Sequence, residues 1–67
     1  MEKIVDKNLD YLLNEYRDRI NMLQNAISAG NCANYEEYKY ACGQIRGLES
    51  ACLAITDLKQ RMEKSND

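Results

Sequence analysis

Cys32, Cys42 and Cys52 are the most reactive side chains in this sequence, and they fall at even intervals of ten. Thiols at such intervals could bridge, bind metal or attack a substrate, and each use has a test. Cys42 and Cys52 on one helix lie nearly three turns apart on similar faces, too far for a bridge between them. A zinc site or a catalytic thiol wants histidine, a CxxC pair or a neighbouring base, and the chain has no histidine and no CxxC. The three thiols therefore read as small buried hydrophobes and a loop thiol, with a regulatory or intersubunit thiol as the alternative. Glu36 and Glu37 would be the only candidate acid/base pair, but two carboxylates opening a helix are better explained by its positive end. No catalytic set, no metal site and no cofactor site emerges. Two helices alone also do not enclose a substrate pocket. The expectation is a protein that is not an enzyme.

The elements that carry these residues are two long helices. Over residues 2–29, Val5, Leu9, Leu12, Leu13, Tyr16, Ile20, Leu23 and Ile27 recur at steps of three and four, the signature of one amphipathic face. Glu15 and Arg19 are spaced for an ion pair on its surface. Ile4, Tyr11 and Met22 form a thin second line, either scattered surface apolars or a second contact site. Gly30 stands where a left-handed residue ends a helix. Asn34 then stands as N-cap with Glu37 three residues on, the spacing of a capping box. The second helix spans 35–64, with 65–67 a frayed tail. A loop over 30–34 is short enough to force two antiparallel neighbours. The fold class is all-α, an antiparallel two-helix hairpin forming one domain over 1–67.

The second helix is apolar or small over roughly 200° of its circumference, against the roughly 100° of an ordinary surface helix. Tyr38, Cys42, Ile45, Leu48, Cys52 and Ile55 make one face. Gly43, Gly47, Ala51, Ala54 and Leu58 make another, and Lys39, Arg46, Ser50, Asp57 and Arg61 hold the rest. Folded about the middle of the loop, Ile20 falls opposite Gly43, Tyr16 opposite Gly47, Leu12 opposite Ala51, Leu9 opposite Ala54 and Val5 opposite Leu58. Large side chains then meet small ones. On that reading Tyr16, Ile20, Gly43, Gly47, Ala51 and Ala54 form the seam inside the hairpin. Tyr38, Cys42, Ile45, Leu48, Cys52 and Ile55 are left for a partner. The partner is a second copy in a four-helix-bundle-like arrangement, or a larger protein. Gln44, inside the apolar arc, would hydrogen-bond between helices, and Arg46 would be solvated or paired with Glu49. Tyr35, Tyr38 and Tyr40 would anchor an interface or cover the loop end.

Sixty-seven residues build only a marginal core, which oligomerisation or docking would complete. A net charge of −2 gives no electrostatic reason to expect nucleic acid as a partner. No apolar run is long enough to span a bilayer, and no secretory leader stands at the start. The expectation is a chain that is neither secreted nor membrane-bound, made in a reducing compartment.

The pattern Tyr35-x-x-Tyr38-x-x-x-Cys42-Gly43-Gln44-Ile45-x-Gly47-Leu48-Glu49-x-Ala51 resembles small helical proteins encoded in tailed-bacteriophage genomes near head and connector genes. The resemblance covers the C-terminal half and carries no catalytic or metal residue. It implies a structural or assembly protein, in the virion or the host cytoplasm, that binds itself or a larger phage protein. Two other classes share the architecture: a small inhibitor of a host protein, for anti-defence or host takeover, and an RNA-binding hairpin dimer. The last lacks a concentrated basic face here.

Overall fold

A computed structural model describes the backbone of residues 4–65 and the side chains of residues 7–63. Two helices make up the described residues, α1 (Ile4–Ser28) and α2 (Tyr35–Ser65), with no strand among them. They fold back on each other as an antiparallel hairpin, a rod of 50 × 15 × 12 Å. α2 is helical through Ser65, so the frayed tail does not begin there; Asn66 and Asp67 lie outside the described residues.

The reversal follows from local chemistry. Gly30 takes φ 76°, a backbone conformation that glycine enters without penalty. Its N–H donates to the Ile27 carbonyl at 3.1 Å, and the Asn31 N–H donates to the Ala26 carbonyl at 3.0 Å. Those two bonds make a Schellman stop, which satisfies carbonyls that the end of α1 would otherwise strand. At the start of α2 the Glu37 N–H donates to Asn34 Oδ1 at 2.9 Å. The Glu37 carboxylate reaches back to accept from the Ala33 N–H, also at 2.9 Å. The box closes one residue before the cap rather than on it, and the charge of Glu36 and Glu37 complements the first turn.

The seam obeys a 3.5-residue repeat on both helices. On α1, Leu9, Leu13, Tyr16, Ile20, Leu23 and Ile27 are buried or half-buried at alternating steps of four and three. On α2, Ala41, Ile45, Leu48, Cys52, Ile55, Lys59 and Met62 follow the same rhythm. This is the a/d seam of a two-stranded antiparallel coiled coil. Leu13 and Ile55, at 7% and 9% exposure, are the buried hydrophobic residues among those described.

The face that α2 turns to α1 corrects the sequence reading. Ile45, Leu48, Cys52 and Ile55, reserved there for a partner, fall on the inner seam of α2 and are buried or half-buried, and Cys42 beside that seam is half-buried. Gly43, Gly47 and Ala54, assigned there to the seam, are exposed. A Cβ built on Gly43 or Gly47 would meet nothing within 4 Å. Apolar area decides this. Burying a Leu or Ile side chain contributes about 1.5–3 kcal/mol, whereas glycine has no side chain to bury. Steric fit of large against small is a weaker preference than removing Ile45, Leu48 and Ile55 from water.

The register differs as well. The expected pairing sets Asp10 opposite Leu53, but Asp10 pairs with Lys59, well over one turn further along α2. α2 has 31 residues to the 25 of α1. Carried along both helices, the Asp10–Lys59 register sets Ile4 near Ser65, so the excess lies at the loop. There the first turn of α2 projects past Ser28.

Candidate interaction surface

The antiparallel coiled coil has two flanks along the seam, and they differ in chemistry. One flank is polar: Asp10, Asn14, Arg17, Thr56, Lys59, Gln60 and Glu63 line a shallow groove there with Leu13. Lys59 is ion-paired with Asp10 across the two helices. The Thr56 hydroxyl donates to the Cys52 carbonyl one turn back, at 2.9 Å. Asp57 and Arg61 form an i,i+4 pair at 3.0 Å on the outer surface.

The opposite flank is apolar. Arg19, Met22 and Leu23 of α1 and Gln44, Gly47 and Leu48 of α2 line an open groove of about 650 Å³. The heptad repeat carries the same surface along the rod. Leu12 stands one heptad before Arg19, and Ala51 and Leu58 stand one and two heptads after Gln44. Ala54 follows Gly47 in the same way. Met22 is 70% exposed, Leu58 46% and Leu12 38%. Large apolar side chains thus project at intervals along a surface whose floor is glycine and alanine. The rim charge, Arg19, lies with its guanidinium 5.9 Å from the centre of the Tyr16 ring rather than paired with Glu15.

A third cluster occupies the projecting end of α2. The Tyr35 and Tyr38 rings stack with centroids 6.3 Å apart, and the Lys39 ammonium sits 5.5 Å from the Tyr35 centroid. Tyr35 and Tyr40 are exposed at 67% and 70%. Tyr38 stands at the first seam position, beyond the end of α1, and is only partly covered. Its hydrogen bond to the Cys42 side chain is the main cause that raises its phenol above the ordinary 10.0, followed by the electrostatic interaction with Cys42 and partial desolvation, with smaller effects of Tyr35 and Cys32. Cys32, Cys42 and Cys52 are free thiols, each half-buried.

The residues assigned from the sequence divide accordingly. Tyr16 and Ile20 lie half-buried on the inner face of α1, and Ala51 is half-buried at the border of the apolar flank. Gly43, Gly47 and Ala54 belong to the outer surface. Gln44 borders the apolar groove, and Arg46 is exposed. The apolar flank itself was not assigned from the sequence. Its signal was Met22, visible in the thin second line of α1, together with the small residues of α2.

Among the described residues, no helix is long and apolar enough to cross a membrane. No group of three or more His, Cys, Asp or Glu is placed there to hold a metal. No family model, curated protein or solved structure matches the chain.

Proposed function

We propose that this protein is a non-enzymatic assembly protein, a helical hairpin that docks through the apolar flank of its coiled coil onto itself or a larger protein. The observation that carries the reading is the pairing of a thin core with an unfilled flank. Leu13 and Ile55 are the buried hydrophobic residues among those described, while Met22, Leu12 and Leu58 stand in water along one side. Side chains at such positions contribute little to a lone hairpin and become binding anchors once covered.

The setting we propose is a tailed bacteriophage particle or its assembly, on the resemblance of Tyr35–Ala51 to small helical phage proteins. Stoichiometric presence in purified particles, with Met22 protected there from peroxide oxidation, supports the reading. Absence from particles, or Met22 oxidised in them as fast as in the unfolded chain, refutes it.

A further inference from the structure

We propose that the occupant of the apolar flank is a second copy of this chain, related by a two-fold axis, which completes a four-helix bundle. The proposal rests on the docking reading above and names its partner. Area is the first argument. The chain exposes 5361 Å². A compact monomer of 7.8 kDa exposes about 4,400 Å², so the rod carries an excess of about 1,000 Å². A standard interface removes about 800 Å² from each partner. One side-by-side contact along the flank is of the size that removes the excess.

Shape is the second argument. The flank carries both halves of a packing contact on one surface. Met22, Leu12 and Leu58 project from it, while Gly47, Ala51 and Ala54 leave a floor of small residues beside them. A two-fold axis sets each projecting side chain of one copy over the floor of the other, and the reverse, as an isologous contact requires. The floor runs along α2 at spacings of three and four, which suits helices crossing at a shallow angle with their backbones close. The surface from Met22, level with Gly47, to Leu58 runs about 17 Å along α2 at 1.5 Å per residue, and a second rod laid alongside covers all of it. The polar flank, with Asp10 and Lys59 engaged with each other, then faces solvent on both sides of the bundle.

The test is the mass of the full chain by light scattering and sedimentation equilibrium, up to roughly 100 µM, where even weak association is populated. The wild type is expected at twice its chain mass. Met22→Asp and Ala54→Arg are each expected to return it to the single-chain mass. Both replace exposed residues, so helical circular dichroism of each variant should remain that of a folded hairpin. Leu53→Asp, on a residue 72% exposed and away from the flank, is expected to leave the double mass unchanged. A wild type that stays at single-chain mass overturns the proposal, and so does a dimer that survives both flank substitutions. The docking reading is judged separately: a monomer whose Met22 is nevertheless protected in particles leaves docking standing and excludes only the second copy.

Discussion

Lys59 of α2 is ion-paired with Asp10 of α1 across the coiled-coil interface, the lysine side chain 27% exposed and the aspartate 45%. Lys59 occupies a seam position, between Ile55 and Met62, where a coiled coil ordinarily places an apolar residue. Its four-carbon stem covers apolar surface while the ammonium reaches the rim. A polar residue at one seam position fixes register, because sliding α2 by a heptad would set an ammonium among apolar side chains. Partly exposed pairs of this kind are worth about 0–1 kcal/mol. Asp10→Asn is therefore expected to lower stability by less than about 1 kcal/mol, less still at high salt. Lys59→Met should be neutral or stabilising while permitting alternative registers, seen as extra cross-peaks in an amide correlation spectrum.

Leu13 and Ile55 are expected to dominate stability. Leu13→Ala or Ile55→Ala should each cost about 2–3 kcal/mol, toward the lower end for large-to-small core changes because the sites keep some exposure. In a chain this short such a loss approaches the whole folding free energy. Leu53→Ala, at an exposed position, should change stability by less than about 0.5 kcal/mol. Thermal unfolding followed by circular dichroism separates the three.

The Gly47 prediction turns on which face it occupies. Were Gly47 in the hairpin seam, Gly47→Leu would break the hairpin. On the open floor, Gly47→Ala is expected to stabilise the single hairpin by about 0.5–1 kcal/mol, because alanine loses less backbone freedom in a helix than glycine. The same substitution narrows the floor and should weaken association. Opposite signs for unfolding free energy and dimer dissociation, measured on one variant, are the expected result.

The turn contributes to stability through its backbone conformation and its cap. Gly30→Ala places a Cβ at φ 76° and should cost about 1 kcal/mol through backbone strain, since nothing lies within 4 Å for it to clash with. Asn34→Ala removes the acceptor of the Glu37 N–H and should cost about 1 kcal/mol. Helical circular dichroism against urea reads both.

Tyr38 makes a prediction about pH. Its phenol is held protonated above the ordinary 10.0, chiefly by the hydrogen bond to Cys42. A raised pKa in the folded state means that this contribution to stability is complete below pH 10 and is lost as pH rises through the folded value. Absorbance titration at alkaline pH should show the Tyr38 phenol ionising above the ordinary 10.0. Cys42→Ala should bring it back toward that value.

The helices and their ends were legible because local chemistry specifies them. Apolar residues at steps of three and four outline both helices, Gly30 supplies the left-handed stop, and Asn34 with Glu37 supplies the start. The inner face of α2 was not legible by the same means. A wheel drawn at 3.6 residues per turn smears a 3.5-residue seam over a long helix, so Cys42, Ile45, Leu48, Cys52 and Ile55 appear as one broad face among two candidates. Choosing between them needed the area each face removes from water, which favours Ile55 over Gly47. The register was hidden for another reason. Lys59 lies on the seam but is polar, so a search for apolar periodicity passes over it. The projection of Tyr35 and Tyr38 past Ser28 follows from that register and from nothing nearer in sequence.

The most direct measurement of the central claim is an isotope-filtered NOE experiment on a mixed sample of labelled and unlabelled chains. It separates contacts within a hairpin from contacts between copies. Two-fold packing of the apolar flanks gives intermolecular NOEs from the Met22 methyl and from the Ala54 and Leu58 methyls, and only intramolecular ones from Ile55. Intermolecular NOEs at Ile55 or Leu48, with none at Met22, would contradict it, returning the large-residue face of α2 to the role of a docking surface.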